Sequence, residues 1–204
     1  MKVGVLGAGS VGSYYGALLE RGGIDTTFIV KEERLKELNR FGVTVKNNNG
    51  KFSVNVNATT IQECEQCDII LLCIKGYHLK QALLDIENIV HAETMIISLL
   101  NGIDSEEIIA KKFGYERVVS GVVYDNFYME NRNTVKRNSN GLIFLGPIKN
   151  ENSKRVKEVS DYLGNAIIEL KYTDEIKMQL WRKMLINATF NSLSCILYCS
   201  PQDL

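Results

Sequence analysis

"MKVGVLGAGSVGSYYGALLERGG", residues 1–23, decides the fold of this 204-residue chain. "KVGVLGA" reads as a short buried strand, and "SVGSYYGALLERG" as a helix closed by Gly22 and Gly23. Between them lies "GAGSVG", a G-x-G-x-x-G in strand–turn–helix context. In that context Gly7 permits the tight turn, Gly9 lets backbone approach a pyrophosphate, and Gly12 allows the helix to pack closely on the strand. The helix N-terminus adds unpaired N–H groups and a partial positive charge. Gly7, Ala8, Gly9, Ser10, Val11 and Gly12 are therefore the candidate dinucleotide loop.

The next strand, "DTTFIV", ends at Val30 and is followed by Lys31. An NAD site usually offers an acidic residue at this point, about 20 residues past the glycines, to the ribose diol. A cation suits a 2′-phosphate, so Lys31, with Arg34 one turn later, favours NADP(H). Glu32 and Glu33 leave the ribose-diol alternative open.

Outward from this unit, strands and helices continue to alternate. "EERLKELNRFG" is helical, and "VTVKNNNGKFSVNV" is a hairpin around an Asn-Asn-Gly turn. "DIILLCI" is a fully apolar strand of the parallel-sheet kind. "YHLKQALLDIENIV" is helical, "TMIISLL" a strand, "SEEIIAKKFG" a helix, and "RVVSGVVY" a strand. Residues 125–137 read as polar and irregular; "GLIFLG", "SKRVKEVSDYLGN" and "AIIELKY" then give strand, helix and strand. From Thr173, with Thr173-Asp174 as N-cap, one long helix runs towards Tyr198. Repeated βα units predict an α/β fold with a doubly wound sheet. The boundary falls near Tyr172, giving units 1–172 and 173–204.

Two loops follow strand ends on the edge where ligands of such sheets collect. "CIKGYH" leaves Lys75 and Gly76 there, and "LLNGIDSEE" leaves Asn101 and Gly102. The last helix adds "WRKMLINATFN", residues 181–191, with Lys183, Asn187 and Asn191 spaced by four. Such steps drift only ~40° around a helix. The neighbouring apolar residues predict a helix buried on most sides, where each unpaired polar group costs roughly 1–3 kcal/mol. A binding-site wall accounts for that stripe better than core packing does.

Composition narrows the alternatives. Lys+Arg and Asp+Glu both total 24, without a block of like charge, which argues against a nucleic-acid-binding module. "IILLCI" is far short of the ~20 residues that span a bilayer. The N-terminus reads as a strand and not as an export signal, so a cytoplasmic protein is expected. Five cysteines are expected to be reduced thiols. Cys64-x-x-Cys67 and Cys195-x₃-Cys199 lie far apart, and no metal is expected; His78 and His91 are isolated and read as surface or cap residues.

"GAGSVGSYYG", "CIKGYH", "LLNGIDSEE", "GLIFLG" and above all "LWRKMLINATFNSL" resemble the ketopantoate reductases (2-dehydropantoate 2-reductases) across essentially the whole chain. The resemblance implies an N-terminal Rossmann domain followed by an all-helical C-terminal domain, with NADPH reducing the C2 carbonyl of ketopantoate in the cleft between. It implies that Lys183 is the catalytic lysine and that Asn101 positions cofactor and lysine. Asn187 and Asn191 match side chains that hold substrate, and Lys75 a lysine near the nicotinamide end. Gly7, Gly9, Gly12 and Lys31 match the pyrophosphate and 2′-phosphate contacts. In the family further helices follow, whereas this chain ends at Leu204 with "SPQDL", where Pro201 offers no substrate amide. A shortened helical domain is expected, and with it an uncovered apolar face on residues 173–198 through which copies associate. A nucleotide-binding chain without turnover is the alternative.

Overall fold

Four apolar strand cores assemble the centre of the sheet. They are β1 (Val3–Leu6), β2 (Thr26–Ile29), β6 (Cys67–Leu72) and β7 (Val90–Ser98). β6 is buried along almost its whole length, as a strand covered on both faces must be. In the computed structural model, which describes residues 1–48, 50–167 and 169–199, these strands belong to an eight-stranded sheet. β5 (Asn57–Thr59), β8 (Val118–Tyr124), β11 (Leu142–Pro147) and β12 (Leu170–Tyr172) complete it, in the order β12-β11-β8-β7-β6-β1-β2-β5. All pairings are parallel except β8 with β11. That exception has a simple cause: β8 and β11 are joined by an excursion of strands, not by a crossover helix.

The helices are α1 (Ser10–Arg21), α2 (Glu32–Phe41), α3 (Leu79–Asp85), α4 (Ser105–Phe113) and α5 (Ser153–Gly164). They divide the core between the two sheet faces. Val3, Val5 and Ile97 pack with Tyr14, Ala17, Leu19, Val156 and Leu163 on one side. Ile70, Leu72 and Ile96 pack with Leu79, Leu83 and Ile109 on the other. The predicted helix over 77–90 is shorter than its sequence pattern: only α3 is α-helical, flanked by single 3₁₀ turns.

A second sheet covers α1. β3 (Val43–Asn47) and β4 (Gly50–Val54) form the expected hairpin, although its turn residue Asn49 lies outside the described residues. Residues 125–137, expected to be irregular, instead form β9 (Phe127–Asn131) and β10 (Thr134–Arg137), and the order is β4-β3-β10-β9. This hairpin carries enough apolar area for one face only. Phe127 stacks on Tyr14 at 4.4 Å between centroids, and Val135 is buried. Its polar outward positions hid the alternation. Arg137 fastens it: the guanidinium, 5% exposed, donates to Asp125 (2.6 Å), Glu169 (2.6 Å), the Tyr14 hydroxyl (2.8 Å) and the Gly141 carbonyl (2.9 Å).

The last helix begins later than predicted. Thr173 Oγ1 accepts from the Glu175 N–H at 3.1 Å, and α6 runs Ile176–Ile186. A π-helical turn follows over Asn187–Asn191, then α7 (Ser192–Leu197), and Tyr198 takes a left-handed φ of 51°. Ile176 and Leu180 anchor α6 in the core, and the Tyr124 hydroxyl donates to the Gln179 carbonyl at 2.9 Å. The expectation of a helix buried on most sides is wrong for this chain. Beyond Leu180 the apolar residues face solvent: Trp181 is 57% exposed, Leu185 64% and Ile196 70%. "SPQDL", residues 200–204, lies outside the described residues.

Candidate active site

The sheet changes direction between β1 and β6, which are neighbours although far apart in sequence. Ligands of open α/β sheets bind in the crevice beyond the strand ends at such a point. A cleft of about 440 Å³ opens there, lined by Gly7, Ala8, Val30, Lys31, Glu33, Arg34, Ile74, His78, Gln81, Asp85 and Arg132 among others. Gly7 has φ of +100°, and a Cβ on it would stand 2.8 Å from the Cys73 carbonyl oxygen. Gly9 caps α1, whose first turn has no side-chain cap, and a Cβ on Gly9 would meet no protein atom within 4 Å. Gly12 has no such freedom, since its Cβ would fall 2.0 Å from the Gly7 carbonyl oxygen. This arrangement fits a pyrophosphate: exposed backbone, an uncapped helix start, and an open side at the second glycine.

Lys31 is the N-cap residue of α2, and Glu33 lines the same cleft. Lys75 does not line it. The 3₁₀ turn after Lys75 exposes that side chain and turns His78 to the cleft instead; His78 is exposed and is the N-cap residue of α3, as read from sequence, and it lines the cleft as well. The sequence over 77–90 reads as one helix, so the 3₁₀ turn that aims His78 is not legible in it. Arg132, from the unexpected β9–β10 turn, had no sequence signal at all.

Further along the same edge of the sheet, Lys183 and Asn187 of the last helix meet Asn101 and Gly102 of the β7–α4 loop, with Gly121 and Val122 beneath. The crevice between them encloses only about 10 Å³, so it is a meeting of side chains and not a chamber. Burial lowers the Lys183 ammonium to about 8, with no acidic partner opposing that shift. Asn191 stands apart, exposed at the end of the π turn. Such turns recur at functional sites.

The loop carrying Asn101 is held by a buried cluster that the sequence reading missed. The Glu106 carboxylate, 1% exposed, accepts from Ser120 Oγ and Ser105 Oγ at 3.0 Å each, and Ser105 Oγ lies 3.1 Å from Ser98 Oγ. Burial raises the Glu106 pKa against the pull of these hydroxyls. Both ends of the loop are thereby tied to β7 and β8. Among the described residues, no helix is long and apolar enough to cross a membrane, and no group of three or more His, Cys, Asp or Glu could hold a metal.

A glycine loop at the switch point of a doubly wound sheet, with a desolvated lysine on the same sheet edge, defines a dinucleotide-binding protein of the Rossmann class. Comparison with known sequences narrows this further. The chain belongs to the ketopantoate reductase PanE/ApbA family, whose sequence model matches residues 3–150.

The 2-dehydropantoate 2-reductase of Pyrococcus horikoshii is 29% identical over 97% of this chain and 64% of its own length. Among solved structures, 2-dehydropantoate 2-reductase from Geobacter metallireducens GS-15 superposes with a TM-score of 0.90 at 29% identity, over 97% of this chain and 66% of that one. A D-mandelate dehydrogenase solved with NADH and anilino(oxo)acetate gives 0.88 at 28% identity, over 97% and 64%. The chain spans between 62% and 64% of the length of three of the curated relatives it matches, less than two thirds of each.

Proposed function

We propose that this chain reduces 2-ketoacids with a nicotinamide cofactor, with NADPH preferred and ketopantoate (2-dehydropantoate) as the favoured substrate. The observation that carries this reading is Lys183, desolvated to a pKa of about 8 and set beside Asn101 on the sheet edge that also bears the glycine loop. Gly7, Ala8 and Gly9 would cradle the pyrophosphate, with Ser10, Val11 and Gly12 as the helix start behind it and Lys31 at the 2′-phosphate. When bound, the nicotinamide supplies the hydride that reaches the ketone carbon.

Lys183 donates a hydrogen bond to the ketone oxygen and passes its proton there as negative charge develops. The resulting amine takes a proton back from solvent. Asn101 orients Lys183, and Asn187 holds the substrate's carboxylate or hydroxyl over the mouth of the crevice. Asn191 and Lys75 join only through movement of the π turn or of the loop after β6. Residues 173–199 would then belong to a helical substrate-side unit.

Two measurements test this on the chain as it stands. NADPH at a hundredfold excess over its Kd is expected to stabilise the protein by ~2.7 kcal/mol. Absence of a thermal shift with both NADPH and NADH would sink the cofactor assignment. Loss of NADPH absorbance on adding ketopantoate or another branched 2-ketoacid is expected next. The exposed helix favours one competing reading, nucleotide binding without turnover, which a shift without oxidation would establish.

That helix also supports association. Trp181, Leu185, Phe190, Leu193, Ile196 and Leu197 form an exposed apolar surface on α6, the π turn and α7. Faces of this kind drive association between molecules. A dimer or larger oligomer is expected by light scattering; a monomer at high concentration contradicts it.

A further inference from the structure

We propose that Arg132 is the residue by which this chain distinguishes a 2′-phosphorylated dinucleotide from an unphosphorylated one, with Arg34 as the strut that holds it there. The proposal rests on the dinucleotide reading of the cleft and deepens it. Arg34 and Arg132 both line the cleft, but their environments differ. The Arg34 side chain is only 15% exposed and is already committed. Its Nη1 donates to Glu37 at 2.9 Å and to Asn133 Oδ1 at 2.6 Å, and its Nη2 donates to the Arg132 carbonyl. A guanidinium with that many bonds is a clamp on the β9–β10 turn, not an available phosphate ligand.

The turn is fixed from its other side as well. The Asn133 carbonyl accepts from the Thr44 N–H at 2.8 Å, and the Asn133 N–H donates to Asn131 Oδ1 at 3.0 Å. What the clamp presents to the cleft is Arg132, whose side chain is 65% exposed. Its Nε pairs with Glu37 at 2.8 Å, and its terminal nitrogens have no partner among the described residues. One carboxylate, Glu37, thus orients two arginines. That leaves the planar end of Arg132 for a bidentate contact with a dianionic phosphate, the geometry in which arginine outperforms lysine.

Lys31 lines the same cleft from the end of β2, so two cations from different sheets line one cleft. Glu33 lines it too, and would instead favour a free ribose diol. Arg132 decides between the two. The second sheet thereby acquires a role in cofactor choice, which the strand order alone does not suggest.

The experiment measures calorimetric Kd values for NADP+ and NAD+, which differ only in the 2′-phosphate, with the parent protein, Arg132→Ala and Arg132→Lys. The parent is expected to prefer NADP+. Arg132→Ala is expected to lose about tenfold or more in NADP+ affinity and less than about twofold in NAD+ affinity, with Arg132→Lys between. Arg132 is exposed, and an unchanged melting temperature confirms that the variants are folded. Equal losses for both nucleotides overturn the proposal, as does an unchanged NADP+ preference in Arg132→Ala. A parent that binds NAD+ as well as NADP+ also overturns it, while leaving the dinucleotide site intact. A parent that binds neither overturns the dinucleotide reading itself.

Discussion

Replacing Lys183 by methionine is expected to slow ketoacid reduction about 10²–10⁴-fold, while the melting temperature of the ligand-free protein at neutral pH goes up. The first effect follows from removing the proposed proton donor beside Asn101. The second follows from desolvation. Burial lowers Lys183 to about 8 from an ordinary 10.5, and no acidic neighbour offsets that cost. Below about pH 8 the ammonium is charged in both the native and unfolded chains, and the native state carries the whole penalty.

Between pH 8 and 10.5 the unfolded chain holds a proton that the native chain has released, so stability rises with pH. Above 10.5 both forms are neutral and the penalty is gone. At full effect such a shift amounts to roughly 3 kcal/mol, and the partial exposure of the side chain reduces it to about 2 kcal/mol. Denaturant titrations of parent and Lys183→Met at pH 7 and pH 10.5 check this without any need for turnover. A stability difference that is the same at both pH values contradicts it. In the reduction direction, kcat/KM is expected to fall as pH rises through about 8, because the donor must be protonated.

That lysine shows how much of the site the sequence could reveal. Its spacing from Asn187 marked both as members of one helix stripe, and both face the Asn101 loop. The third member, Asn191, followed the same arithmetic but stands outside the crevice. A π turn over Asn187–Asn191 interrupts the 3.6-residue period on which that arithmetic depends, and nothing in "NATFN" announces it. The central strands were legible because burial on both faces demands uninterrupted apolar runs such as Ile69–Leu72. The β9–β10 hairpin was not, because a strand covered on one face by a single helix needs only Phe127, Met129 and Val135 to hold it. Arg132 was therefore invisible: its position depends on a clamp between two sheets. Arg34 looked like a phosphate ligand for the same reason, since only the folded turn supplies the partners that occupy it.

The glycine loop yields the other large expected effect, as a contrast between two substitutions of identical chemistry. Gly12→Ala would drive a Cβ to 2.0 Å from the Gly7 carbonyl oxygen and 3.0 Å from Cys73 Cβ. The Gly7 backbone on one side and the Cys73 side-chain root on the other cannot yield cheaply, so destabilisation of about 3 kcal/mol is expected, and nucleotide binding falls as a consequence. Gly9→Ala meets nothing within 4 Å, and its φ of −78° and ψ of −167° are open to any residue. Folding stability is expected to stay within ~0.5 kcal/mol of the parent. Yet the added methyl occupies the side from which a pyrophosphate would meet the backbone, so cofactor affinity is expected to drop about tenfold or more. Melting curves and NADPH titrations on the two variants separate the roles of the glycines, one for packing α1 on β1 and one for admitting phosphate. Parent-like NADPH binding by Gly9→Ala would remove the pyrophosphate from this loop, whatever Gly12→Ala does.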